Sequence, residues 1–244
     1  MDRFGMDRFS MTPQAAFTTT TVAGAERVTA FLRRVYAWMC GGLGLTAIVA
    51  LTVQSSPGLQ RAILGNPVIF FGLILTELVL VFALAARVQK LAPSTAAGLF
   101  IAYSALNGAT LSMIFLAYTA TSITTTFVVT AGMFGALALF GSTTKRSLAG
   151  VGHFVFMGLI GLMLAMAVGF FWHSDGLQFV ISIVGVIVFT GLTAWDAQRL
   201  KQMAAALPEG GIGAYAVVGA LSLYLDFINL FLFLLRFLGG SRRS

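Results

Sequence analysis

Seven apolar runs, at 32–53, 67–86, 95–117, 123–141, 149–172, 177–198 and 213–238, take up most of this 244-residue chain. A helix needs about 20 such residues to cross roughly 30 Å of hydrocarbon at about 1.5 Å per residue. Inside lipid every backbone amide must find its partner within the protein, so a chain of this kind folds as a bundle of helices. Charged residues make up 9% of the sequence, against roughly 25% in soluble domains. With 58% hydrophobic residues and a mean hydropathy of +0.93, a water-soluble surface cannot be built. The expected fold is an all-α membrane protein with seven transmembrane helices.

The breaks between runs carry turn chemistry: Ser55-Ser56-Pro57-Gly58, Asn66-Pro67, Ala92-Pro93-Ser94 and Pro208-Glu209-Gly210-Gly211. Runs 3 and 4 are divided by a Thr/Ser-rich stretch from Tyr118 to Thr126, since their combined length is too great for one span. No soluble domain fits between any two runs. Residues 1–29 are polar, with Met1–Phe4 nearly repeated as Met6–Phe9, and read as a disordered cytoplasmic tail. They lack an apolar h-region, so the first span is expected to direct insertion. The domain organisation is then a tail at 1–29, a seven-helix domain at 30–240 and a short basic tail at 241–244. Small residues recur every four positions at Gly161, Ala165 and Gly169 and at Gly98 and Ala102, a spacing that allows close helix packing.

The net charge of +7 would suggest nucleic acid in a soluble protein, but here the cations sit at the ends of apolar runs. The positive-inside rule accounts for them, and no nucleic-acid footprint is present. With the N-terminus inside, eleven Lys and Arg (Arg3, Arg8, Arg27, Arg33, Arg34, Arg87, Lys90, Lys145, Arg146, Arg199 and Lys201) fall on the inner side. Four (Arg61, Arg236, Arg242 and Arg243) fall outside. A re-entrant seventh segment would bring the last three back inside. Full crossing is the reading taken, because the 213–238 run is long enough to span.

In such a setting ionisable groups within the runs are the informative positions. Three acids qualify: Glu77 in run 2, Asp196 near the end of run 6 and Asp226 in the middle of run 7. Ser222, Asp226, Asn229 and Arg236 follow one another at i, i+4, i+7 and i+14, which puts them along one helix face. A polar stripe of this kind is either a hydrogen-bonded seam between helices or an acid on a conduction path. Asp196, beside Thr193 and followed by Arg199 and Lys201, reads equally as a boundary residue that snorkels to water. Ser104 and Asn107 share a face of run 3 and suit interhelical hydrogen bonding.

Enzyme readings find no support. The single cysteine, Cys40, permits no internal disulfide, and His153 and His173 stand at opposite ends of run 5, too far apart to share a metal. There is no Gly-x-Ser-x-Gly motif, no lysine within a span to carry retinal, and no P-loop to couple transport to a nucleotide. No cofactor is expected.

Two stretches near the end of the chain are distinctive. Leu192-Thr-Ala-Trp-Asp-Ala-Gln-Arg-Leu200 and Leu221-Ser-Leu-Tyr-Leu-Asp-Phe-Ile-Asn-Leu-Phe-Leu-Phe-Leu-Leu-Arg-Phe-Leu-Gly239 closely resemble the last two helices of the Bax inhibitor-1, or transmembrane Bax inhibitor motif, family. The layout of runs and the Lys/Arg pattern fit the bacterial members along nearly the whole chain after the tail. The resemblance implies a seventh helix at the centre, wrapped by the other six, and a passive, pH-sensitive calcium leak. It implies that the family's paired aspartates correspond to Asp196 and Asp226, that Glu77 is its helix-2 acid, and that Arg87 is nearest to its latching arginine. Pairing Asp196 with Asp226 requires either a deeper seventh helix or a sixth that continues past Arg199.

The expected function is therefore a calcium leak of the bacterial cytoplasmic (inner) membrane, with an N-terminus in the cytoplasm and a proton shared between Asp196 and Asp226. Two adjacent carboxylates titrate as a unit, and their oxygens suit a hard cation such as calcium, held transiently. Beyond the lipid bilayer, calcium and protons, membrane proteins are the partners to consider. The rival reading is a membrane-embedded regulatory or interaction protein, acting on membrane protein quality control or stress survival. A proton-coupled transporter would show inverted repeats or broken helices, and neither is visible in the sequence.

Overall fold

The computed structural model describes residues 13–87, 90–172, 174–207 and 212–240. Among them the order is α1 (Pro13–Ser55), α2 (Pro57–Leu64), α3 (Pro67–Arg87), α4 (Pro93–Leu111), α5 (Ile114–Ala117), α6 (Ala120–Thr143), α7 (Ala149–Phe171), α8 (Asp175–Ala206) and α9 (Ile212–Leu238). Seven stretches are long and apolar enough to cross a membrane, and each contains or overlaps one of the seven runs. The structure is an all-α membrane fold.

The turn residues act as helix starts. Pro57, Pro67 and Pro93 each stand at the first position of a helix, where proline's missing N–H costs nothing. Asn66 Oδ1 accepts from the amides of Val68 and Ile69 at 3.0 and 3.4 Å, and Thr119 Oγ1 caps α6 by accepting from Ser122 N at 3.2 Å. The helix is interrupted by a turn at Ser112–Met113, so the third span is α4 followed by the short α5. The short helix α2 lies where only a turn was expected.

Two boundaries move. The first helix begins at Pro13, so much of the segment expected to be a disordered tail is helical; residues 1–12, with the duplicated Met-Asp-Arg-Phe, lie outside the described residues. Extending an existing helix is far cheaper than nucleating one, so the polar stretch before residue 30 continues α1 backwards. Tertiary contacts support it: Val28 packs on the core and Arg27 Nη2 donates to Leu207 O at 2.8 Å. At the same end of the bundle, α8 continues past Arg199 to Ala206.

The last helix is central. In its most apolar stretch 72% of residues are buried, against 11% in α3 and 17% in α7. It packs on α1, α3, α4, α6 and α8, whereas α7 packs chiefly on α8. Tyr224, Leu223 and Leu230 of α9 are fully enclosed, while Val68, Phe154 and Phe171 on the outer helices are wide open, as lipid-facing side chains should be. The closest helix approaches differ from those expected. Gly169 does meet α8, where a Cβ would lie 3.0 Å from Gln178 Nε2, but Gly98 and Gly161 face open space, because spacing identifies a helix face without saying what every position on it meets. The tight crossings are at Gly108, where a Cβ would run into Thr46 O of α1, and at Gly141, where it would run into the Ala194 backbone of α8.

Candidate functional site

The continuation of α8 past Arg199 brings Asp196 against α9. Asp196 Oδ2 accepts a hydrogen bond from Ser222 Oγ. Ser222 lies one helical turn before Asp226, so the same face of α9 carries both groups to α8. Asp196 and Asp226 are 7% and 5% exposed and lie within electrostatic reach of each other. Asp226 Oδ2 is fully buried and has no hydrogen-bond partner among the described residues. A buried carboxylate oxygen left in this way is costly unless a proton or a cation attends it.

A cavity of about 340 Å³ opens onto Asp196. Asp196, Arg199, Ser222 and Tyr215 supply its polar lining, and Val81 and Ala85 of α3 form part of its wall. Arg199 lies 5.5 Å over the ring of Trp195, and its charge reaches Asp196. Arg87, the expected latch, ends α3 with an exposed side chain, and no ion pair joins it to Asp196 among the described residues. Asn229, expected in the polar stripe, turns back on its own helix and donates to Leu225 O at 2.8 Å.

Glu77 belongs to a separate network. Its Oε2 accepts from Asn107 Nδ2 at 3.1 Å and its Oε1 from Thr110 Oγ1 at 2.9 Å. Asn107 Oδ1 in turn accepts from Tyr224 OH at 3.0 Å, and that hydroxyl is 2.6 Å from Thr46 Oγ1. The chain of contacts thus ties α3, α4, α9 and α1 together. Tyr224 stands two residues before Asp226, so this network occupies the opposite side of α9 from the aspartates.

Sequence reasoning identified the three acids and the bonding role of Asn107. It missed Tyr224 and Thr46, which in sequence are ordinary residues of apolar runs. It also missed Gln198, whose amide nitrogen donates to Arg146 O and whose oxygen accepts from Leu148 N, both at 2.8 Å, pinning the α6–α7 turn to α8. Its place two residues after Asp196 was the available signal. Among the described residues no group of three or more His, Cys, Asp or Glu is arranged to hold a metal.

Comparison with known proteins is consistent along the whole bundle. A family model described as "Inhibitor of apoptosis-promoting Bax1" matches residues 28–243. The inner membrane protein YbhL of Escherichia coli K12 is 46% identical over 245 residues, covering 99% of this chain and 100% of its own. An uncharacterized protein of Borreliella burgdorferi is 44% identical over 216 residues, 88% of this chain and 93% of its own. An uncharacterized membrane protein of Streptococcus pyogenes is 38% identical over 214 residues, 86% and 93% respectively.

Proposed function

The chain belongs to the Bax inhibitor-1 family, and from that premise we propose that it is a passive calcium leak of the bacterial inner membrane, gated by a proton held between Asp196 and Asp226. The observation that carries the reading is the buried, unpartnered Oδ2 of Asp226 beside Asp196. Two carboxylates in a poorly solvated site cannot both ionise cheaply, so one proton is shared and is exchanged for a cation or for water as pH rises. The cavity at Asp196, Arg199 and Ser222 supports an access route to the pair through Asp196. Calcium takes 6–8 oxygen ligands, and two carboxylates with one hydroxyl supply few of them, so the ion would pass partly hydrated and bind briefly. The distribution of Lys and Arg favours an N-terminus in the cytoplasm.

Gating is assigned to α3, whose Val81 and Ala85 wall the cavity. When the pair is ionised its negative charge attracts Arg87 two residues beyond Ala85, and α3 is held over the mouth. Protonation cancels that charge and releases α3, so the leak increases as pH falls. The test is calcium flux into liposomes that contain only the purified protein, at several pH values and constant calcium. An acid-stimulated flux is expected. A protein that works only through partners would be inert in this assay.

A further inference from the structure

The central helix is wrapped unevenly. α1 and α6 both pack on α9 but hardly touch each other, and an apolar groove runs between them. Its larger part, about 590 Å³, has Cys40 and Gly44 of α1 on one wall and Gly135 and Ser142 of α6 on the other, with Phe227 of α9 beneath. A cavity of about 310 Å³ continues it, since Leu43, Ala47 and Phe127 line both. Together they fall in the range of sites that take a small ligand, about 300–1,000 Å³. A partner helix is about 10 Å across with its side chains and would need far more room.

The glycines show that the groove is built open. A side chain added at Gly44 or Gly135 would meet nothing within 4 Å, whereas at Gly108 and Gly141 it would strike another helix. Gly44 and Gly135 therefore serve no helix contact; they deepen the space between two walls. Within a bilayer such a space is lined by hydrocarbon and open to hydrocarbon, and an acyl chain fills it without leaving any polar group unpaired.

The two ends of the groove differ in charge. Ser142 ends it on one side, and the ammonium of Lys201 donates to Ser142 O at 2.7 Å. Arg33, exposed, lies one turn before Tyr36 on the α1 face that continues through Cys40. Among the described residues no charged side chain lines the other end. Basic side chains at the mouth of a pocket between membrane helices attract anionic headgroups.

We propose that the α1–α6 groove seats one acyl chain of an anionic phospholipid, with the phosphate held at the end that carries Lys201 and Arg33. The chain lies on Phe227, the residue after Asp226, so lipid occupancy stiffens the central helix beside the aspartates. This goes beyond the leak reading and stands or falls without it, because the test reads lipid and not flux.

The test is native mass spectrometry of the full chain in detergent, with added phosphatidylglycerol or phosphatidylcholine bearing the same acyl chains. One phosphatidylglycerol should be retained per protein, in clear preference to phosphatidylcholine. Lys201→Gln and Arg33→Gln should each lower that retention about fivefold. Gly135→Phe should abolish retention by filling the groove, and Gly44→Leu should do so from the other wall if the first variant does not purify. Equal retention of the two lipids would overturn the proposal. So would charge variants that weaken retention while neither groove-filling variant does, since the lipid would then be bound only at the surface.

Discussion

Ser222 Oγ donates to Asp196 Oδ2 from one helical turn before Asp226, so the hydroxyl serves one aspartate, and Oδ2 of the other has no donor among the described residues. The asymmetry has chemical content. A donated hydrogen bond stabilises the charged form of the carboxylate that accepts it, and Ser222 supplies one to Asp196 alone. Yet the two lie close enough for the charge of Asp196 to reach Asp226.

Asp226→Asn should therefore remove most of the pH dependence of calcium flux, because an amide keeps the shape but cannot titrate. Asp196→Asn should do the same, and the double variant should add little, as coupled groups are not additive. Flux in liposomes at acid and neutral pH is the measurement. Independent, additive losses would show that the two acids do not act as a pair.

Ser222→Ala removes a hydrogen bond to the charged form of Asp196 and leaves the helix intact. The ionised state loses stabilisation, so the protonated, conducting state persists to higher pH. The midpoint of the flux profile should move up on the order of one pH unit, given about 1.5 kcal/mol for a bond to a charged group. A midpoint that stays in place or moves down would show that this bond does not tune the pair.

These predictions rest on a juxtaposition that was only half legible in the sequence. The rarity of charge inside apolar runs marked out Glu77, Asp196 and Asp226, and the i, i+4 spacing marked the face shared by Ser222 and Asp226. Asp196 was harder to place, because Arg199 and Lys201 read as the end of the span. In the structure Arg199 stacks on Trp195 and the helix runs on to Ala206, which carries Asp196 into the bundle. Partner choice was not legible at all. Nothing in the pattern distinguishes Asn107, which bridges Glu77 and Tyr224, from Asn229, which bonds its own helix.

Tyr224→Phe separates the two networks on α9. It strips the hydroxyl that joins Asn107 to Thr46, on the side of the helix away from the aspartates. Buried groups left unpaired in soluble proteins cost about 1–3 kcal/mol, but hydrogen bonds between membrane helices average about 0.6 kcal/mol, because the unfolded chain in lipid also finds partners. A loss of about 1 kcal/mol is expected in denaturant-induced unfolding in detergent. The pH midpoint of the leak should remain that of the wild type, and a shifted midpoint would mean that the Glu77 network takes part in gating.

Two arginines could supply the positive charge that the ionised pair attracts, and their positions give them different roles. Arg199 lies three residues after Asp196 on the same helix, so it moves with the aspartate and cannot tie another helix to it. Arg87 ends α3, the helix that walls the cavity through Val81 and Ala85, so an attraction to it would restrain α3. Arg199→Ala should shift the flux midpoint to higher pH by removing charge that favours the ionised pair, while the closed state at high pH survives. Arg87→Ala should instead raise the flux at high pH and flatten the profile from that side, because nothing then holds α3 over the mouth. Calcium must be held constant in both measurements, since it competes with protons for the same carboxylates. A wild-type profile in Arg87→Ala would discard the latch and leave the aspartate pair standing.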